Sequence, residues 1–349
     1  PTGPTLRRGA TSTTWSLSFQ KVEQANRAAA ALLRLCAFLA PDAIPEELLT
    51  EGAPDFGSVL GPVASDALKL NEALEEVRKY SLIRRQAATK TLSIHRLVQV
   101  VLKDGMPPKV QQQWAERAVR AVSRVFPQVE VETWSRCERY LSQAQTCAEV
   151  VDQYGLSFAE AALLFHRTGQ YLQDRARYEE AESFYQRALQ IREKVFGPGH
   201  SSTGNTLHEL ARLYQDQGKY EEAEPLYQRA LRIGEKEEGP EHPSTAKTLH
   251  QLAVLYWSQG KYEEAEPLYQ RALLIYEKVL PPDHPDTGVT LHALAVLYHN
   301  QGKDEEAEPF YQRALYISEK VQGSDHPSTA ETLHALAVLY HNQGKDEEA

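Results

Sequence analysis

The chain of 349 residues is 42% hydrophobic and carries a formal net charge of −10 at pH 7, so it can build cores but has no strongly basic character for nucleic acid. It contains no run of about 18 apolar residues, and its N-terminal PTGPTLRRGATSTTW lacks the apolar segment of a signal peptide, so we expect neither a membrane span nor secretion. The odd count of three cysteines (Cys36, Cys137, Cys147) without metal-like spacing favours buried thiols in a reduced, cytoplasmic compartment.

The charge is distributed unevenly. Residues 1–156 carry 19 Lys+Arg and 17 Asp+Glu, a net of +2, whereas residues 157–349 carry 19 and 31, a net of −12. This change predicts a boundary near residue 156. It also predicts that the acidic part prefers partners with basic or neutral polar segments and does not bind nucleic acid.

The first third of the chain is not repetitive. Hydrophobic spacing predicts helices over 15–25, 28–39, 45–49 and 71–80. The segments SLIRR and TLSIH, separated by QAATK, predict a β-hairpin, and RLVQVVLKD predicts a helix directly after it. Helices and a hairpin in this order predict a winged-helix domain over residues 1–106. Two further helices, over 107–126 and 133–154, form a predicted helical linker at 107–156.

Three segments of this region, TTWSLSFQKVEQ, LLRLCAFLAPDAIPEELL and LSIHRLVQVVLKD, resemble the part of bacterial STAND ATPases of the NB-ARC type that follows the nucleotide-binding domain. The resemblance covers about Thr11 to Asp104. It implies a Met-His-Asp motif whose histidine contacts the β-phosphate of bound ADP. The chain has Ile94-His95-Arg96 here, so His95 is the implied nucleotide-sensing residue, whereas Arg96 departs from the motif. The alternative is that His95 caps local backbone.

Enzyme activity is not expected of these 349 residues. No GxxxxGK[ST] sequence occurs, and GPGHSSTGNT lacks the lysine that would reach a phosphate. ADP or ATP is therefore expected only with a preceding ATPase domain, and no cofactor in this chain. No Ser/His/Asp or Cys/His arrangement indicates a hydrolase or transferase. The candidate DNA-recognition helix carries three glutamates, Glu72, Glu75 and Glu76, which phosphates would repel.

From residue 157 the chain repeats with a period of 42; QGKYEEAEPLYQRAL, for example, occupies both 217–231 and 259–273. In the copy at 241–282, apolar residues at i, i+3, i+4 and i+7 predict a first helix that begins at Pro243 and ends before Gly260. A second stripe predicts a helix over 262–279, ended by Pro281 and Pro282. Each repeat is therefore a helical hairpin.

The order of residues in one copy resembles the tetratricopeptide repeat: Leu249, Leu252, Ala253, Tyr256, Gly260, Tyr262, Ala265, Tyr269 and Ala272. The 42-residue period with its DHP-x-T junction is similar to the variant in kinesin light chains and many bacterial regulators. We count repeats at 157–198, 199–240, 241–282 and 283–324, with a fifth, cut copy at 325–349. The resemblance implies a mainly α protein whose repeats form a right-handed α-solenoid with a concave, peptide-binding groove.

Five histidines recur at 42-residue spacing, and we predict that they face this groove: His166, His208, His250, His292 and His334. A neutral imidazole offers one donor and one acceptor, which suits an extended backbone. The alternative is a histidine that bonds to the next helix. Further groove candidates are Val254, Trp257, His299, Asn300, His341 and Asn342. Repeats about 10 Å apart are too distant for two imidazoles to share a metal, so none is expected.

These features predict a ligand-sensing, autoregulatory fragment of a signal-transduction STAND NTPase. In this interpretation a protein or peptide in the groove releases the repeats from the chain's own NB-ARC domain and permits nucleotide exchange and oligomerisation. The alternative is a protein-interaction scaffold resembling the kinesin light chain, with no nucleotide switch.

Overall fold

The structure, a computed structural model, describes the backbone of residues 5–345 and the side chains of residues 15–345. The predicted start of the first domain, at residues 1–4, and the predicted end of the fifth repeat, at 346–349, lie outside the described residues. The described chain is mainly helical, as predicted, and has a three-stranded sheet near its N-terminus, where a two-stranded hairpin was predicted. It divides into two units, the first ending at Val195 and the second beginning at Phe196. The predicted boundaries after 106 and 156 both lie inside the first unit and stay predictions.

The first unit begins with six helices: α1 (Thr5–Ala25), α2 (Arg27–Cys36), α3 (Glu46–Glu51), α4 (Gly57–Ala64), α5 (Ala67–Lys79) and α6 (Arg96–Asp104). Side-chain caps fix two starts. The Asn26 Oδ1 accepts from the backbone N of Ala28 and Ala29 at 2.9 and 3.0 Å, and Asp66 caps α5 in the same way. Helix α4 was not predicted, because its sequence GSVLGPVA contains residues that usually break helices.

The sheet of the first unit contains β1 (Ile44–Pro45), β2 (Ile83–Gln86) and β3 (Thr91–Ile94) in the order β1-β3-β2. Both pairings are antiparallel, with Ile83 opposite Ile94 in the hairpin and Ile44 opposite Leu92. The predicted hairpin is confirmed. Strand β1 was not predicted, because two residues are too few to show an alternating pattern.

Four more helices complete the first unit: α7 (Pro108–Val125), α8 (Trp134–Tyr154), α9 (Ala159–Asp174) and α10 (Tyr178–Val195). A fully buried amide joins α8 to the segment after α2, because the Gln143 Oε1 accepts from the Ala40 N at 2.8 Å. The Arg139 guanidinium on α8 also pairs with Glu47 on α3. The sheet-bearing part and the following helices therefore form one packed body.

The second unit contains three helix pairs and one further helix: α11 (Ser201–Asp216), α12 (Tyr220–Glu237), α13 (Pro243–Ser258), α14 (Tyr262–Val279), α15 (Pro285–Asn300), α16 (Asp304–Gln322) and α17 (Pro327–Asn342). The bounds predicted for α14 are confirmed, and α13 begins at Pro243 as predicted. Gly260 has a φ of +73°, the left-handed conformation expected where a helix ends. Small residues such as Ala253 and Ala265 are fully buried, which lets the helices approach closely.

Each first helix of the second unit begins with the same cap. The Nδ1 atoms of four histidines accept from the backbone N two residues later at 3.1 to 3.2 Å: His200, His242, His284 and His326. This use of histidine as an N-cap was not predicted. None of the helices within residues 5–345 combines the length and the apolar character that a membrane span requires.

Candidate functional site

Three of the five in-register histidines lie between helices of the second unit. His208 is 5% exposed and His250 is 8% exposed. Their Nδ1 atoms lie 3.2 and 3.1 Å from the hydroxyls of Thr248 and Thr290 on the following first helix, and the half-buried His292 repeats the contact with Thr332 at 3.1 Å. The prediction that these rings face an open groove is therefore wrong for His208 and His250. The alternative, a bond to the next helix, is what the structure contains.

Each of these imidazoles also packs edge-on against a tyrosine of its own repeat. The ring centroids are 5.3 to 5.5 Å apart in the pairs His208–Tyr227, His250–Tyr269 and His292–Tyr311. Burial lowers the pKa of both His208 and His250 to about 4. The two rings are therefore neutral at pH 7, the form that can exchange a hydrogen bond with a threonine hydroxyl.

The two end members of the histidine column have different surroundings. His166, in the first unit, is half-buried and packs against Tyr185 with ring centroids 5.8 Å apart. His334, on α17, is exposed. Helix α13 covers His208, and α15 covers His250. Within residues 5–345 the first helix of a further repeat does not follow α17, so no such helix covers His334. Burial of this position is thus created by the next repeat.

The remaining predicted groove residues lie on the last turns of α13, α15 and α17. We call this set the first-helix face: Val254, Trp257, His299, Asn300, His341 and Asn342. Val254, Trp257 and His299 are half-buried and the others are exposed. Helix α13 contacts α15, and α15 contacts α17, so equivalent residues of successive repeats are neighbours. These predicted residues therefore lie at equivalent positions of helices that are neighbours.

Two side chains of the first-helix face are held in place. The Trp257 side chain packs against the core shared by α14, α15 and α16. The His299 Nδ1 lies 2.7 Å from the Asp304 Oδ1 at the start of α16. Residues fixed before binding lose less conformational entropy when a ligand arrives. The face thus combines an anchored aromatic ring with exposed amide groups.

A polar ladder outside this face joins successive repeats. The hydroxyls of Tyr256, Tyr298 and Tyr340 donate to the carboxylates of Glu224, Glu266 and Glu308 at 2.9 to 3.3 Å. The ammonium groups of Lys261, Lys303 and Lys345 lie 2.9 to 3.9 Å from the same three carboxylates. Part of the acidic excess of the repeats is therefore used to join one repeat to the next, which weakens the case that it selects a partner.

His95 lies at the junction of β3 and α6, where its Nδ1 accepts from the Leu97 N at 3.2 Å. It therefore caps local backbone, which was the alternative interpretation of this residue. The ring also lines an open cleft of about 530 Å³ together with Arg78 and Arg84. Asp42 lines the same cleft and the Arg78 guanidinium pairs with Glu75, so Arg84 is the arginine that could meet a phosphate there.

Neither the cysteines nor the histidines form a reactive or metal-binding cluster in the part of the chain that the structure describes. No group of three or more His, Cys, Asp or Glu side chains there could hold a metal ion. Cys36, Cys137 and Cys147 are free and buried, and burial raises the pKa of the Cys36 thiol to about 12. A thiol that stays protonated at pH 7 is a poor nucleophile.

The threonines that receive the histidines were missed by the sequence analysis. Thr248, Thr290 and Thr332 each lie 40 residues after their histidine partner. The sequence contained a signal for them, because threonine recurs at 206, 248, 290 and 332 with the period of the repeat. Histidine and threonine thus both recur with the period of the repeat, on opposite sides of the contact between neighbouring helices. This pattern indicates a hydrogen bond between one repeat and the next.

Family models match most of the chain. The nephrocystin-3 TPR domain matches residues 111–279, and a tetratricopeptide-repeat model matches residues 244–315 and 286–349. A domain of unknown function, DUF7779, matches residues 20–111. A nucleotide-binding leucine-rich repeat (NLR)-like protein from Hyaloscypha variabilis is 31% identical over 191 residues, which are 54% of this chain and 18% of that protein. The chain thus matches less than a fifth of the length of this relative.

The solved structures that are similar to the chain include the following two. A Podosopora anserina protein of the kinesin light chain kind, with nearly identical TPR-like repeats, is 31% identical; the match covers 53% of this chain and 87% of that one, with a TM-score of 0.46. Aspartyl phosphate phosphatase F from Bacillus subtilis is 16% identical, covers 82% of this chain and 70% of its own, and has a TM-score of 0.56. At that identity the second likeness shows the fold alone.

Proposed function

Because residues 111–349 belong to the tetratricopeptide-repeat family, we propose that the second unit binds a protein or peptide along the first-helix face. The observation that carries the proposal is that Trp257, His299 and His341 occupy equivalent positions of α13, α15 and α17. Helix α13 contacts α15, and α15 contacts α17. An extended peptide across these helices would meet one anchored indole and then imidazole and amide groups, which can bond its backbone.

In this proposal the in-register histidines support the ligand surface from within. His208, His250 and His292 join the first helices that present the face. Their role is to hold neighbouring helices in register. We therefore assign the ligand contacts that the sequence predicted for the in-register histidines to the first-helix face. A ligand contact by the exposed His334 stays a prediction.

Replacement of Trp257 by alanine is expected to weaken ligand binding by about 30-fold, or about 2 kcal/mol, the usual cost of losing an aromatic anchor. Asn300→Ala is expected to weaken it by about fivefold, since one exposed amide contributes about 1 kcal/mol. The chain is used as bait, the captured protein is identified by mass spectrometry, and its affinity for each purified variant is measured by calorimetry.

Leu274→Ala is the matched control for this measurement. Leu274 is 66% exposed and lies on α14, a second helix, so its loss should leave the affinity within about twofold of the original. Equal loss of affinity in the Leu274→Ala and Trp257→Ala variants would contradict binding at the first-helix face.

We further propose that the first unit couples this binding to a nucleotide switch in a longer parent protein. The order of two helices, a strand, three helices, a hairpin and a final helix supports a winged-helix domain. The NLR-like relative supports a nucleotide-binding parent. His95 and Arg84 would hold a phosphate in their shared cleft, and the contacts of Gln143 and Arg139 provide a rigid connection to the following helices. Ligand-dependent nucleotide exchange and oligomerisation in the cytoplasm complete this proposal.

The nucleotide role of His95 can be separated from its capping role. His95→Ala, in the parent chain with its nucleotide-binding domain, is expected to accelerate ADP release at least about tenfold, because one charge-assisted phosphate contact contributes about 1.5–3 kcal/mol. His242→Ala is the matched control, since His242 makes the same cap without the cleft. Release of fluorescent ADP is measured in both. Equal release rates would leave capping as the role of His95.

The second candidate function is a scaffold that resembles the kinesin light chain and has no switch. The 42-residue repeats favour it as much as they favour a sensor, and no catalytic domain is among the families matched. The affinity for the captured partner, measured with ADP and with ATP in the parent chain, decides between the two functions: a scaffold would bind its partner equally tightly with either nucleotide.

A further inference from the structure

A small cavity lies between α15, α16 and α17 in the second unit. Its volume is about 100 Å³, and its walls are mainly apolar. Val289 of α15, together with Ile317 and Val321 of α16, contributes aliphatic walls, and Ser318 and Thr332 contribute hydroxyl groups. An engineered apolar cavity of about 150 Å³ binds benzene, so a cavity of this size and lining can receive part of an aromatic ring.

The cavity lies beside a position at which side-chain size varies between the repeats. Residue 318 is serine, where the preceding repeat has Tyr276 and the repeat before that has Gly234. In that preceding repeat Tyr276 is 3% exposed and packs in one core cluster with Ala246 and Ile275. The equivalent space thus holds the protein's own phenol ring one repeat earlier, and Ala272, Ile275 and Val279 of that repeat match the wall residues Ala314, Ile317 and Val321.

The mouth of the cavity is apolar, unlike the equivalent position in the other repeats of the second unit. Val289 is 53% exposed, where those repeats have Asn205, Lys247 and Glu331 and the repeat of the first unit has Leu163. His292 and Glu331 line the cavity as well, so hydrogen-bonding groups accompany the apolar walls. An exposed valine beside an apolar cavity favours an apolar group arriving from solvent, and a nearby imidazole or carboxylate can accept from a hydroxyl.

We propose that this cavity receives one tyrosine side chain of the bound protein, which takes the place that Tyr276 occupies in the preceding repeat. The proposal rests on the proposed function, because the ring is presented by the ligand of the first-helix face. It adds a specificity determinant at the other end of helix α15: a ligand with tyrosine at that point is selected over one with a charged or small residue.

The test uses p-cresol, the side-chain analogue of tyrosine, with the isotope-labelled chain observed by NMR. We expect p-cresol to bind with a Kd of about 1 mM, as befits so small a ligand, and to shift the amide signals of Gly288, Ser318 and Thr332. Ser318→Tyr fills the cavity with the chain's own ring and should weaken this binding at least about tenfold. Ser318→Ala leaves the space open and should retain the affinity within about twofold.

Val289→Lys, which restores the lysine of the preceding repeat at an exposed position, provides a second variant if Ser318→Tyr does not fold, and it should weaken p-cresol binding several-fold. Absence of p-cresol shifts in the original chain, or equal p-cresol affinity in all variants, would overturn the cavity proposal. The proposed function would still be supported in that case if a captured protein lost affinity in the Trp257→Ala variant. Cavity binding of p-cresol without any Trp257-dependent partner would instead overturn the proposed function.

Discussion

Lowering the pH from 7 to 5 is expected to destabilise the second unit by about 4 kcal/mol through two histidines alone. In the unfolded chain both rings take up a proton near pH 6.5, whereas burial lowers the pKa of His208 and His250 to about 4 in the folded protein. Between these values the unfolded state binds more protons, so stability is lost as the pH falls. Glu209 opposes the shift at His208, and Lys247 and Arg212 add to it, but burial is the largest cause.

Urea unfolding followed by circular dichroism at pH 7, 6 and 5 measures this loss. The control is the double variant His208→Asn and His250→Asn, which keeps polar side chains that do not titrate. Its midpoint should fall much less between pH 7 and 5, because the carboxylates that remain titrate mainly below this range. If the original chain and the double variant lose stability equally, the two imidazoles do not carry the acid sensitivity.

Replacement of His250 by alanine is expected to destabilise the second unit by about 2–4 kcal/mol, because it leaves a cavity beside Tyr269 and removes the partner of the Thr290 hydroxyl. The chain itself offers the comparison. His334 occupies the same position of a later repeat but is exposed, so His334→Ala should change stability by less than about 0.5 kcal/mol.

The free energies of unfolding of the two alanine variants are compared with that of the original chain in urea at pH 7.5, where both histidines are neutral when unfolded. Ligand affinity is measured on the same samples. If the His250→Ala variant kept its stability but lost ligand binding, His250 would be a ligand-contacting residue of the groove. Equal destabilisation by both substitutions would mean that the following helix does not cause the burial.

The repeat hairpins could be predicted from the sequence because their signals are local. Proline opens α13, Gly260 ends it, and one apolar stripe defines α14 from Tyr262 to Val279. The hairpin of β2 and β3 was equally visible. Helix α4 and strand β1 were not, because tertiary contacts form α4 from a sequence with Gly61 and Pro62 and extend the sheet by only two residues.

The sequence by itself thus determined the repeat, its period and the position of every helix in the second unit, since propensity and hydrophobic spacing act within one helix. The tertiary structure decided which of the neighbouring polar columns is buried. An apolar stripe in the sequence shows only which way a side chain points from its own helix. Whether His208 and His250 are buried depends on where the first helix of the next repeat packs. The cavity beside Ser318 likewise arises only where three helices meet around a missing ring.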